Sequence, residues 1–94
     1  MTFRPDAVPD FLKMFEETSP SIRAFPGCEH LELWEDARFP NVLSTYSFWK
    51  DEAALESYRQ SQLFRSTWAR TRNWFAAPPE AQSVRRKVLV DTAD

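Results

Sequence analysis

Apolar positions along this chain change their spacing several times, and each change predicts an element. Met1 to Arg4 reads as a short first strand closed by Pro5. Asp6 can cap the helix that follows, in which Val8, Phe11, Leu12, Phe15 and later Ile22 recur at helical spacing. Pro20 interrupts that stripe, so a kink or a break with a restart at Ser19 is expected, with the helix ending near Ala24. From Cys28 to Glu35 the pattern alternates, placing Leu31 and Leu33 on one face and Cys28, His30, Glu32 and Trp34 on the other. Asp36 to Asn41 is a turn, and Val42 to Trp49 is rich in β-branched and aromatic residues, so the two segments should pair as a hairpin.

The period changes again at Trp49. A strand ends there, Asp51 can cap a helix, and Leu55 and Tyr58 then share a helical face. Ser61 looks like a second cap. Beyond it Phe64, Trp68, Thr71 and Phe75 form one stripe of a further helix, which Pro78-Pro79 would stop. Ser83 to Val90 alternates once more, with Val84, Val88 and Val90 opposite Arg85 and Lys87, and is expected to be the last strand. The order is β-α-β-β-α-α-β. It predicts an α+β, ferredoxin-like subunit with an antiparallel sheet carrying helices on one face, built as a single domain over residues 1–94.

Composition narrows the chemistry. A 94-residue chain has room for one core and buries only roughly 60–65% of its unfolded surface. Four Trp and eight Phe are many for that core, so some should line a cavity or meet a partner subunit. The net charge of −2 argues against nucleic acid and anionic membrane as partners. The single cysteine excludes an internal disulfide, and the single histidine excludes a two-histidine metal cluster. The single glycine, Gly27, excludes a glycine-rich phosphate loop. The chain shows no signal peptide or membrane-spanning run, and a cytoplasmic protein is the expectation.

His30 is the candidate catalytic residue, because imidazole suits proton transfer from a phenol. A strand histidine that only fills a face is the alternative. Cys28 could act as a nucleophile only with a base beside it; the plainer reading is a small buried strand residue. Trp34, Tyr46, Trp49, Tyr58, Phe64 and Trp68 are candidates for binding a flat aromatic ligand, against the alternative that they are core. Arg59, Arg65, Arg70 and Arg72 make one helical region basic, to grip an anion or to pair with Asp10, Glu16 and Glu17.

Four pieces of the chain resemble the antibiotic biosynthesis monooxygenase family of small dimeric α+β barrels. They are the turn Phe25-Pro26-Gly27-Cys28, the strand end Thr45-Tyr46-Ser47-Phe48-Trp49, the junction Trp49-Lys50-Asp51-Glu52-Ala53-Ala54-Leu55, and Tyr58-Arg59-Gln60-Ser61-Gln62-Leu63-Phe64 leading to Trp68. The resemblance implies a homodimer in which two sheets pack face to face with helices outside. It also implies a pocket between sheet and helices, where relatives oxidise aromatic polyketides, quinols or heme. Several of them use no metal or organic cofactor, since the electron-rich substrate itself reduces oxygen.

The chain departs from that pattern in three places. The family's first strand normally begins several residues earlier and often carries a polar residue such as Asn, which Met1 to Arg4 does not match. The heme-degrading branch has a histidine where Trp68 stands in Tyr58-x-x-Ser61-x-x-Phe64-x-x-x-Trp68, and indole offers iron no ring-plane lone pair. Many relatives also carry His at the position of Tyr58. Two functional readings stand: a cofactor-independent monooxygenase acting on a small phenolic, quinol or polyketide-like substrate, and a non-catalytic, small-molecule-binding or stress-associated homodimer of the same fold.

Overall fold

Phe3 lies wholly buried at the centre of the molecule, and the rest of the core assembles around it. The computed structural model describes residues 1–91. Phe11, Met14 and Leu43 complete the buried cluster, with Val8, Phe15, Leu33, Trp74 and Phe75 packed against its edge. The segment expected as a first strand forms no continuous ladder. It makes two antiparallel bridges instead, Thr2 to Val42 and Phe3 to Phe75. Backbone hydrogen bonds fix it on both sides: Phe3 N–H donates to Asn41, Leu43 N–H to Met1, and Ala76 N–H to Thr2.

A 3-10 turn over Pro5–Ala7 leads into helix α1, Val8–Arg23. α1 runs unbroken through Pro20, and no restart occurs at Ser19. Pro20 lacks the N–H that would donate to the Glu16 carbonyl, and the helix continues for only three residues beyond it. Ile22, only 6% exposed, anchors that turn to the interior. The helix then stops at Ala24, and the chain turns at Gly27, whose φ of 89° suits a residue without a side chain.

Strand β1 (Cys28–Glu35) pairs antiparallel with strand β2 (Leu43–Trp49), as the alternation predicts. One correction concerns Cys28. Cys28 pairs with Trp49 and His30 with Phe48, so two steps on β1 match one step on β2. This bulge breaks the alternation and turns Cys28 to the opposite face from His30. Cys28, Leu31 and Leu33 face the helices. His30, Glu32 and Trp34 face away, opposite Phe48, Tyr46 and Ser44.

Asp51 caps helix α2 (Glu52–Arg59) by accepting the Ala54 N–H at 2.8 Å. Ser61 caps helix α3 (Gln62–Thr71) by accepting the Phe64 N–H at 3.1 Å. α3 ends earlier than Pro78-Pro79 requires. A 3-10 turn over Arg72–Trp74 follows, and Phe75 becomes extended to meet Phe3. The result is an α+β, ferredoxin-like arrangement: an antiparallel sheet with helices on one face.

The expected last strand, Ser83 to Val90, is not formed. Residues 77–91 carry no regular structure, and Val84, Val88 and Val90 are each more than two-thirds exposed. A strand requires a neighbouring edge, and among the described residues this segment has none. Its contacts with the body are side-chain ones: Arg85 pairs with Glu52, and the Arg86 guanidinium lies 5.6 Å from the Phe48 ring centroid.

Candidate functional site

The residues singled out in the sequence fall into two groups on opposite faces of the sheet. Trp49, at the end of β2, points toward the helices. Tyr58, on α2, stacks on it with ring centroids 5.0 Å apart and planes inclined by 23°. Phe64 meets Tyr58 edge-on at 5.2 Å, Trp68 follows at 5.8 Å, and Phe75 lies 5.8 Å beyond, leading to Phe3. Four of the six predicted binding residues thus form one continuous row, from the strand-to-helix junction to the core. All four are partly buried. The caps at Asp51 and Ser61 fix where α2 and α3 begin, and so which residues face the sheet.

Phe25, which the sequence pattern places only in the turn before Gly27, belongs to this row. Its ring stands edge-on to both Trp49 (6.2 Å) and Tyr58 (5.4 Å). The sequence signal is its place two residues before the single glycine; the structure then ties that turn to the end of β2, where Lys50 N–H donates to the Gly27 carbonyl at 2.7 Å. Arg23 also grips the turn, donating to the Cys28 carbonyl at 2.7 Å.

Burial pushes the Tyr58 phenol up to about 12, and nearby Cys28 adds to the rise. Tyr58 is therefore a neutral donor across the physiological range. Cys28 is buried on this same side, and its thiol donates to the His30 carbonyl at 3.7 Å.

His30, Trp34 and Tyr46 lie on the other, outward face. The His30 ring bonds to one Glu32 oxygen, and the Trp34 indole N–H donates to the other at 3.1 Å. These two bonds, His30 first, hold the Glu32 carboxyl below the usual carboxylate range. Trp34 stacks on Tyr46 at 4.5 Å, and Phe48 lies edge-on to Tyr46. Trp34 is 48% exposed and Phe48 37%. The sheet separates the histidine from the Trp49–Tyr58 stack, so no imidazole stands beside that stack within this chain.

Two open clefts adjoin these groups. One, of about 490 Å³, is lined by Phe25, Gly27, Lys50, Asp51, Ala54 and Ser57 among others. The other, of about 1030 Å³, runs between Met1, Val42, Ser44 and the segment from Ala77 to Gln82. None of Trp49, Tyr58, Phe64 or Trp68 lines either cleft. The four rings occupy the layer between sheet and helices by contacting one another.

Among the described residues the ion pairs are His30–Glu32 and Arg85–Glu52. The expected pairing of Arg59, Arg65, Arg70 or Arg72 with Asp10, Glu16 or Glu17 is not made there. No group of His, Cys, Asp or Glu among the described residues is arranged to hold a metal ion. No helix among them is long and apolar enough to cross a membrane.

The family model for antibiotic biosynthesis monooxygenase matches residues 1–70. No curated protein matches the sequence. Among solved structures, a conserved protein from Methanosarcina mazei Go1 superposes with a TM-score of 0.80 at 19% identity, over 84% of this chain and 78% of that one. A protein from Mycobacterium tuberculosis gives 0.78 at 20% identity, covering 93% and 91%. A crystallised antibiotic biosynthesis monooxygenase gives 0.76 at 21% identity, covering 82% and 81%. At these identities the likeness is one of fold.

Proposed function

The chain belongs to the antibiotic biosynthesis monooxygenase family, and from that premise we propose that it oxidises a small phenolic, quinol or polyketide-like aromatic with molecular oxygen and without a cofactor. The observation that carries this reading is the half-buried Trp49–Tyr58 stack, prolonged by Phe64 and Trp68 and bordered by Phe25. The rings pack on one another, so in this proposal a planar substrate lies against the edge of the row that Phe25 borders, held by removal of apolar area from water. Tyr58, held neutral, supplies a donor for a substrate oxygen. In a ring CH2 to C=O oxidation one atom of dioxygen enters the carbon and the other leaves as water. Every electron that dioxygen accepts comes from the carbon being oxidised, so the protein's part is to bind, orient and desolvate.

The working unit in this proposal is a homodimer with the outward sheet faces opposed. His30, Trp34, Tyr46 and Phe48 make that face aromatic and partly exposed, as a surface awaiting a partner would be. Covering it would contribute about 25 cal/mol per Å² of apolar area removed from water.

One observation favours a second reading, a binding protein without catalysis. His30, the candidate proton acceptor, lies across the sheet from the ring row. Oxygen uptake over a panel of hydroquinones and anthrones separates the two. The monooxygenase reading expects uptake with at least one compound. Ligand-induced thermal shifts without uptake would favour the binding protein, and neither uptake nor shifts would contradict both.

A further inference from the structure

We propose that the open cleft at the Phe25-Pro26-Gly27 turn is a ligand-binding mouth beside the ring row, and that Phe25 is its specificity-determining wall. The inference rests on the aromatic-substrate reading above and deepens it. Phe25 is the one ring that belongs both to the row and to a cleft. It lines the opening of about 490 Å³ and packs at a steep angle against Trp49 and Tyr58. The cleft is open to solvent, so a ligand there would rest against the Phe25 wall and not be enclosed.

The walls of the mouth are fixed by backbone contacts. Gly27 O accepts the Lys50 N–H at 2.7 Å, Cys28 N–H donates to Phe25 O at 3.0 Å, and Phe25 N–H donates to Ile22 O at 3.1 Å. A side chain at Gly27 would collide with Ala54, so the turn and α2 approach as closely as their backbones allow. Phe25 is therefore held in place by the end of α1 and by the close approach of α2 to the turn.

The polar lining defines the ligand class. The Asp51 carboxylate accepts from the α2 backbone. Lys50 makes no ion pair among the described residues. Ser57, on α2, faces the opening. A planar aromatic with an ionisable hydroxyl would lay its ring on Phe25 and turn its oxygen toward Lys50.

The test is equilibrium binding of 1,8-dihydroxyanthraquinone, a planar phenol that the proposed reaction cannot oxidise further, followed by the dye's own absorbance. Two variants probe the mouth. Phe25→Ala removes the wall. Ser57→Phe fills the opening from an exposed helical position, and an unchanged melting temperature confirms that it folds. Binding weakened about tenfold or more in both variants supports the inference. Wild-type affinity in either one overturns it and leaves the aromatic-site reading standing. If the unmodified protein binds neither this dye nor anthrone, the reading beneath it falls as well.

Discussion

Trp49 and Tyr58 stack across the gap between sheet and helix, their ring centroids 5.0 Å apart. The contact joins the last residue of β2 to the second-last of α2, and it exists because Asp51 starts α2 where Tyr58 falls on the sheet-facing side. The same burial raises the Tyr58 phenol to about 12 from an ordinary 10.0. The unfolded chain therefore loses this proton at lower pH than the folded one. The stability that Tyr58 contributes through its proton is complete below pH 10 and disappears as pH rises toward about 12. Denaturant titrations across that window should show a steeper loss for wild type than for Tyr58→Phe, and phenolate absorbance should lose its latest step in the variant. Parallel loss in both proteins would show that Tyr58 is not the group responsible.

The Gly27 turn should tolerate no side chain. Gly27 has a φ of 89°, and an added Cβ would overlap that of Ala54. Gly27→Ala is expected to cost about 2 kcal/mol or more, from backbone strain and collision together. Combining it with Ala54→Gly should recover the collision part and leave the strain. A denaturant double-mutant cycle reads the coupling, and strictly additive losses would exclude the contact.

The two caps should act independently. Asp51→Ala and Ser61→Ala each remove one acceptor for a helix N–H and should each cost about 1 kcal/mol. Asp51→Asn should cost less, because an amide oxygen still accepts. Equal losses for Asn and Ala at position 51 would mean that charge rather than the hydrogen bond does the capping.

Much of this fold is legible in the sequence, because local signals and tertiary needs agree there. His30–Glu35 alternates cleanly, and Asp51 and Ser61 are polar residues at period changes; the structure uses each as the pattern implies. Pro20 misleads because the missing N–H removes one hydrogen bond, and the burial of Ile22 in the same turn holds the helix together across it. Cys28 misleads because a bulge leaves no mark in an alternating pattern. Ser83 to Val90 has a strand's residues and lacks a strand's neighbour, which spacing within one chain cannot reveal. The ring row is visible as a list of aromatics. Its division from His30, Trp34 and Tyr46 follows only from strand register.

The outward sheet face offers its own test. Trp34 and Phe48 are exposed there, away from the core. The double variant Trp34→Glu, Phe48→Glu should convert a dimer to a monomer in sedimentation velocity, with helix content retained. A wild-type protein that sediments as a monomer at micromolar concentration, or a dimer that survives the double substitution, would place the interface elsewhere or remove it.

Anthrone turnover under isotopically labelled dioxygen, followed by mass spectrometry of product and solvent, addresses the proposed chemistry most directly. A cofactor-independent monooxygenase would place one labelled atom in the anthraquinone and release the other as labelled water, at a rate that falls strongly in Trp49→Ala. Product formation no faster than in buffer, or anthraquinone whose new oxygen is unlabelled, would contradict it.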